Sequence, residues 1–369
     1  MKRRLFVILL FLTGACASPQ ATATPLPTDT PQPIPSPGPT LAASSTPTLT
    51  DYQAFLPRQD EKDLRVMSYN VNWDSIFPAD DPQNHDLRQF DRVDAFKRIL
   101  RAVQPDVICL QEINYRRSSE QIGALVAEAT GGDDPWFVAK ERDTFIVSRF
   151  PLAVEGYELV TNGVVNARQQ AAAMVDLPDQ IYASTDLYMV CSHFKAGGGT
   201  ADIFLRQEQA DVIMSQVQDA ISPGGKMDLL AETPYLLLGD FNIYDSDPHN
   251  HLWTLLRGDI YEESQYGHDF EPDWDATDLS DAFPSHNGLG AEFYTWRDDE
   301  SGFAPGVFDR ILFTDSVLIL VNAFILDTTS LAPEVLNAWG LQAADVLLAD
   351  QAGSYDHLPL VVDFRLPSD

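Results

Sequence analysis

Cysteine and basic residues are both scarce in this 369-residue chain. The three cysteines, Cys16, Cys109 and Cys191, are too few for a disulfide framework or a cysteine-based zinc cluster. Lysine and arginine number 24 against 55 acidic residues, which gives a formal net charge of −31. Because duplex DNA binding depends on basic side chains that displace counterions, this charge argues against strong non-specific DNA binding. Phosphate chemistry is not excluded, since a bound metal ion inverts the local charge.

The amino-terminal apolar run is too short to cross a bilayer as a helix, which takes about 20 residues. A basic segment at residues 2–4 precedes the apolar residues 5–12, and small residues then precede Cys16, which is typical of an export signal. Residues 12–16 resemble a bacterial lipobox with Cys16 as the lipidation site, although Thr13 departs from the usual pattern. Ordinary signal-peptidase cleavage is the alternative. We expect export, either as a lipoprotein on the outer side of the cytoplasmic membrane or as a secreted protein.

Proline and threonine dominate residues 17–57, which carry few large apolar side chains. Such a segment cannot offset its ordering entropy, so we interpret it as a disordered stalk that follows the signal peptide at residues 1–16. Residues 58–369 alternate short apolar runs with amphipathic segments and show no internal repeat, which predicts one domain of mixed α and β character. Strands are predicted at residues 64–71, 106–111, 144–147, 187–192, 235–238, 307–313, 317–324 and 358–364, and helices at residues 92–103 and 202–220.

Polar residues recur where the predicted strands begin or end. They are Asn70, Glu112, His193, Asp240 with Asn242, Asp309, and Asp356 with His357. Each alone has an ordinary explanation, such as a turn residue or a surface ion pair. Together, on strands that should reach one edge of a sheet, they predict a ligand-binding or catalytic centre. Their oxygens suit Mg²⁺, with Mn²⁺ or Ca²⁺ as alternatives, and carboxylates with histidines suit phosphodiester hydrolysis.

The ordered series from Asn70 to His357 resembles the endonuclease/exonuclease/phosphatase superfamily, which includes deoxyribonuclease I. The resemblance implies an α+β fold, a four-layer α/β/β/α sandwich of two mixed sheets flanked by helices. It also implies a metal-dependent hydrolase of phosphate esters. The expected substrate is a nucleic acid or a smaller phosphodiester, and we expect a monomer.

The same resemblance implies roles for individual residues. Asn70, Glu112 and Asp356 would hold the metal ion. Asp240 would orient or deprotonate the attacking water, while Asn242 would hold the phosphate.

The remaining candidate residues would stabilise charge or transfer protons. By the resemblance, His357 would stabilise the phosphate in the transition state and would be oriented by Asp309. His193 would donate a proton to the leaving group. Arg168 stands where relatives often carry a phosphate-facing arginine, and an ordinary surface arginine is the alternative.

Two smaller features leave alternatives open. Lys195 and Arg206, together with Arg168, are candidates for a local positive patch inside an acidic shell. Cys109 and Cys191 lie on predicted core strands, where we expect free thiols, with a disulfide as the alternative because geometry decides the pairing.

Two other functions compete with a nuclease-like enzyme. The first is hydrolysis of phospholipid, as by a sphingomyelinase, or of inositol phosphates. The second is a non-catalytic surface binding module that keeps the fold. Loss of Glu112, Asp240 or His357 would have indicated the binding module, and all three are present.

Overall fold

Two six-stranded β-sheets face each other in the computed structural model. The structure describes residues 55–84, 90–132, 134–159, 170–244, 251–349 and 354–366, which all belong to the compact unit of residues 47–369. The predicted signal peptide, most of the predicted stalk and Cys16 lie outside these ranges and stay predictions. The described strands are β1 (Leu64–Asn70), β2 (Val107–Gln111), β3 (Phe137–Glu141), β4 (Thr144–Ser148), β5 (Leu152–Ala153), β6 (Ala171–Val175), β7 (Leu187–His193), β8 (Tyr235–Asp240), β9 (Ser280–Asp281), β10 (Asp309–Phe313), β11 (Ile319–Ile325) and β12 (Leu360–Arg365).

Helices connect and cover these strands. The described helices are α1 (Val93–Val103), α2 (Ser119–Thr130), α3 (Asp179–Tyr182), α4 (Thr200–Ile221), α5 (His251–Arg257), α6 (Glu263–Tyr266) and α7 (Pro333–Trp339), with a 3₁₀ helix at Thr328–Ser330. Within the described ranges, no helix has the length and apolar character that a membrane crossing requires.

Each sheet is mixed, with one parallel pair near its centre. The first sheet has the order β11-β12-β1-β2-β4-β3, and the second has the order β5-β6-β7-β8-β10-β9. The pairs β1/β2 and β7/β8 are parallel, and the other neighbours are antiparallel. Strands whose two faces are both covered read as continuous apolar runs, which is why these four were predictable.

The helices complete four layers. Apolar residues of α1, such as Ile99 and Val103, share one buried cluster with the first sheet and the inner face of the second. On the other side, Ile213 of α4 lies in a second cluster with Tyr188 and Val190 of the second sheet. The predicted α+β sandwich of two mixed sheets flanked by helices is therefore confirmed.

Cys109 of β2 and Cys191 of β7 form a disulfide, with a Cα–Cα distance of 5.4 Å. The expectation of two free core thiols was wrong. The two cysteines lie in different sheets, and because the sheets face each other, both side chains enter the same core. The spacing of the cysteines along the chain does not reveal this proximity. The bond links the two sheets close to Glu112 and His193.

Candidate functional site

The two parallel pairs bring polar side chains to one edge of the sandwich. Asn70 ends β1 and Glu112 directly follows β2, whereas His193 ends β7 and Asp240 ends β8. Parallel neighbours end on the same side, so each pair presents its terminal residues together. The two sheets meet there, because Nδ2 of Asn70 donates to Oε1 of Glu112 and to Oδ2 of Asp240, both at 3.1 Å. Asp309 opens the antiparallel β10 directly opposite Asp240.

A tight turn after β8 fixes the Asp240 and Asn242 side chains. Oδ1 of Asp240 accepts from the backbone N–H of Asn242 at 2.9 Å, and Nδ2 of Asn242 donates back to Oδ2 of Asp240 at 2.9 Å. Gly239 precedes the turn with φ +132°, and a Cβ atom there would lie 2.0 Å from the carbonyl oxygen of Ser192. Only glycine fits this close approach of β8 to β7.

His357 and Asp309 form a buried pair. Nδ1 of His357 lies 2.6 Å from Oδ2 of Asp309, and its Nε2 lies 3.6 Å from Oδ2 of Asp240. Burial acts to lower the pKa of His357, but the charges of Asp309 and Asp240 and the bond to Asp309 outweigh it and raise that pKa well above its usual value. The raised pKa favours the protonated imidazolium, and the bond to Asp309 holds Nε2 toward the site.

A second aspartate–histidine pair faces the first. Nδ1 of His193 lies 2.9 Å from Oδ2 of Asp143, which belongs to the turn between β3 and β4. Its Nε2 lies 3.7 Å from Oε1 of Glu112 and 3.7 Å from Oδ2 of Asp240. The backbone N–H of His193 also donates to Oε1 of Gln170 at 2.7 Å. The backbone N–H and Nδ1 of His193 are thus held, and its Nε2 points at the same Asp240 carboxylate as Nε2 of His357.

Glu112 and Asp356 form the acidic side of the site. Burial is the main reason that the pKa of Glu112 is raised, and the negative charge of Asp356 acts in the same direction, against the two histidines. Oδ2 of Asp356 accepts from Nδ2 of Asn72 at 2.5 Å, and its Oδ1 accepts from Nε1 of Trp296 at 3.2 Å. Asn72 and Trp296 thereby set the position of the Asp356 carboxylate.

The donor atoms on this side fit a hard divalent cation. Two carboxylates that repel each other would be relieved by such an ion, and oxygen is the ligand that Mg²⁺ prefers. Among the described residues, no three Asp, Glu, His or Cys side chains form a metal-binding group by themselves. Mg²⁺ is commonly held by one or two carboxylates with water completing its shell, and Glu112 and Asp356 would suit such an ion. Asn70 turns its NH₂ group to Glu112 and Asp240, so ligation through its oxygen requires rotation of the amide.

The structure brings most of the predicted site residues together at this edge. These residues are Asn70, Glu112, His193, Asp240, Asn242, Asp309, Asp356 and His357. Arg168 lies outside the described residues, so its role stays a prediction.

The prediction that Arg206 contributes to a local positive patch is wrong. This side chain is fully buried, and it donates to the carbonyl oxygens of Lys195 and Gly197 at 2.8 and 2.6 Å. Lys195 forms an ion pair with Asp202 at 2.9 Å. Arg206 therefore fixes the loop after β7, and Lys195 is already paired with a carboxylate, because α4 folds back over this loop.

Sequence reasoning missed two residues that hold the site. Asp143 carried no signal, since an aspartate in a hairpin turn is ordinary and its histidine partner is 50 residues away. Asn72 stood next to the Asn70 pattern, but its contact with Asp356 spans 284 residues. Trp296 also has a place at the site, through the bond from its Nε1 to Asp356.

The sequence matches the model of one protein family. The sequence model of the Endonuclease/Exonuclease/phosphatase family matches residues 67–330. No curated protein matches the chain. Among solved structures, an endonuclease/exonuclease/phosphatase from Bacteroides vulgatus is similar at 15% identity over 83% of this chain and 99% of that one, with a TM-score of 0.49.

Two further solved structures are similar at the same level. An endonuclease/exonuclease/phosphatase from Beutenbergia cavernae has 17% identity over 83% of this chain and 72% of that one, with a TM-score of 0.45. The human Nocturnin catalytic domain with bound sulfate has 17% identity over 83% and 95%, with a TM-score of 0.44. Since the family model spans most of the folded region, the chain belongs to the endonuclease/exonuclease/phosphatase family, whose members hydrolyse phosphate esters.

Proposed function

We propose that this protein is an exported, divalent-metal-dependent phosphodiesterase with nuclease-like chemistry. The observation that carries the proposal is the convergence of two aspartate–histidine pairs on one carboxylate. Nε2 of His193 and Nε2 of His357 lie 3.7 and 3.6 Å from the same atom, Oδ2 of Asp240. Phosphodiester cleavage needs an activated water on one side of the phosphorus and a protonated leaving oxygen on the other, and this arrangement supplies groups for both.

In the proposed reaction, Asp240 orients the attacking water and accepts its proton. Asn242 is held beside it by the turn after β8 and binds a phosphate oxygen. The raised pKa of His357 favours its charged form, which directs Nε2–H at the phosphate oxygens, where negative charge develops in the transition state. Asp309 keeps that ring in position and stabilises its charge.

His193 completes the reaction on the leaving side. Its Nδ1 is occupied by Asp143, so Nε2 is the nitrogen that donates a proton to the departing oxygen. The bond from its backbone N–H to Gln170 fixes the end of β7, so the ring does not have to be ordered during turnover.

Glu112 and Asp356, with Asn70 after rotation of its amide, are the residues that we propose to hold Mg²⁺, with Mn²⁺ or Ca²⁺ as alternatives. When bound, such an ion neutralises charge on the phosphate. The raised pKa of Glu112 supports this assignment, since a buried carboxylate beside a second carboxylate is a place where a cation is favourable. Arg168 is proposed as a further phosphate contact.

We also propose that the protein is exported from the cytoplasm. Disulfides persist in oxidising compartments, and the Cys109–Cys191 bond is consistent with a protein that folds outside the cytoplasm. We propose that Cys16 carries a lipid anchor and that residues 17–54 separate the catalytic domain from the membrane. Phe55 and Leu56, which the sequence placed in the stalk, are instead buried in the core of the domain. A freely secreted monomer is the alternative form.

A substrate panel tests the proposed activity. The full-length mature protein in Mg²⁺ is offered single-stranded DNA, duplex DNA, RNA, sphingomyelin vesicles and inositol phosphates, and product is measured for each. We expect cleavage of a nucleic acid, with duplex DNA the poorer substrate because the net charge of −31 repels it. If only sphingomyelin or inositol phosphates are turned over, the protein is not nuclease-like but a phospholipid or inositol-phosphate hydrolase. Absence of turnover on every substrate, with the protein folded, would favour the binding module.

A further inference from the structure

The turn after β1 contains three consecutive non-glycine residues in the left-handed region. Asn72, Trp73 and Asp74 have φ values of +53°, +48° and +66°. Each such residue costs free energy, and strained backbone of this kind persists only where its surroundings hold it, commonly at functional sites. We therefore infer that this turn does more than connect β1 to the next element.

Hydrogen bonds tie this turn to the acidic side of the site. The backbone N–H of Trp73 donates to Oε2 of Glu112 at 3.2 Å, and that of Asp74 donates to the carbonyl oxygen of Glu112 at 3.0 Å. Oδ1 of Asp74 accepts from the backbone N–H of Asn114 at 2.9 Å. The turns after β1 and β2 are thus joined, and the backbone of Trp73 lies within hydrogen-bond distance of a proposed metal ligand.

The joined turns present aromatic rings to solvent. Trp73 is 54% exposed and Tyr115 is 61% exposed, although burial of either ring would contribute to stability. The Arg116 guanidinium lies 5.5 Å from the centre of the Tyr115 ring, and its Nε donates to the Tyr115 hydroxyl at 3.2 Å. Exposed rings beside an arginine are the combination by which proteins bind single-stranded nucleic acid, through base stacking and cation–π contact.

We propose that Trp73 and Tyr115, with Arg116, form a stacking subsite for a nucleobase next to the scissile phosphate. This inference rests on the proposed phosphodiesterase activity and narrows its substrate to single-stranded nucleic acid. Bases in a duplex are stacked on each other and do not offer their faces to these rings. In a molecule with a net charge of −31, stacking also supplies binding free energy that does not depend on many phosphate contacts.

Binding to a labelled oligonucleotide tests the subsite separately from catalysis. In a His357→Ala background with Mg²⁺, fluorescence anisotropy gives the Kd for a short single-stranded DNA and for an abasic strand of the same length. We expect Trp73→Ala or Tyr115→Ala to raise the Kd for the DNA at least about fivefold, the lower end of the effect of losing one stacked base, with no change for the abasic strand. Trp73→Phe should restore most of the affinity, because it returns a flat ring to the same turn.

The matched control is Phe137→Ala. Phe137 is also exposed, at 37%, but it opens β3 opposite Ser148, at the end of the sheet away from the site. The subsite is overturned if both Trp73→Ala and Tyr115→Ala bind DNA as the background does, or if the abasic strand loses as much affinity. Weaker binding of these variants to sphingomyelin vesicles, with DNA binding unchanged, would also overturn it and assign the rings to a lipid surface. Failure of the wild-type protein to cleave any strand that it binds would instead overturn the proposed activity.

Discussion

The proposed stabilisation of the transition state depends most on one residue, His357. We expect His357→Ala to lower kcat by at least about 10²-fold, because the Nε2–H directed at the phosphate is lost. Steady-state hydrolysis of a chromogenic phosphodiester measures this, with thermal unfolding as the check that the variant folds. A folded variant with a nearly normal rate would remove His357 from the reaction.

Asp143 is proposed to act through His193 as a positioning residue. We expect Asp143→Asn to lower the rate on a nucleoside leaving group by about 10- to 10²-fold, a part of what a general acid contributes. A p-nitrophenolate leaving group needs little protonation, so the same variant should lose much less on that substrate. Glu141→Gln, in the same hairpin, is the matched control and should behave as the wild type. Equal losses on both leaving groups would indicate a merely structural role.

The site residues that could be predicted from the sequence are those that stand at strand ends in a recognisable order. Asn70, Glu112 and Asp240 could be chosen because each stands within two residues of the end of an apolar stretch. Asp143 could not, since its partner comes from the other sheet and only the folded sandwich brings them together. Arg206 was misjudged for a similar reason: its cationic character was visible, whereas its burial against the loop after β7 was not.

The disulfide is the main crosslink between elements of the two sheets in the described region. It joins residues separated by 82 positions, and closing a loop of this length should stabilise the fold by about 4 kcal/mol in the chain-entropy picture. We expect the double variant Cys109→Ala/Cys191→Ala to unfold at lower urea concentration than the oxidised wild type. Reductant should destabilise the wild type and leave the double variant unchanged. Equal stability of the oxidised wild type and the double variant would show that the bond contributes nothing.

Elements were predictable where burial alone dictates the sequence. The strands β1, β2, β7 and β8 are buried along their whole length and appear as apolar runs. Strand β3 was missed because it is an edge strand in which only Ala139 is buried, so it carries a lysine and a glutamate and shows no apolar run. Helix α2 was also missed, although Ser118 and Gln121 form a capping box at its start that the sequence does display.

The charge of the whole molecule should govern its response to salt. A net charge of −31 repels a nucleic acid at long range, and added salt screens this repulsion. We expect kcat/KM on an oligonucleotide to stay level or to rise between about 50 and 200 mM salt, opposite to proteins that bind through many phosphate contacts. As the reference, kcat/KM is measured at neutral pH, over the same salt range, on a small phosphodiester whose leaving group carries no phosphate charge. A steep fall with salt would point to a basic binding surface that this account lacks.

Metal dependence is the central claim for the molecule, because the acidic side of the site has a clear function only if it holds a cation. The most direct measurement is hydrolysis of bis-p-nitrophenyl phosphate by the wild-type protein before and after EDTA, and again after excess Mg²⁺ or Mn²⁺. Glu112→Gln is measured in parallel, since it removes the central carboxylate while keeping its shape. We expect EDTA to abolish turnover, the metal to restore it in the wild type, and the variant to stay inactive. Turnover that survives chelation would contradict metal dependence.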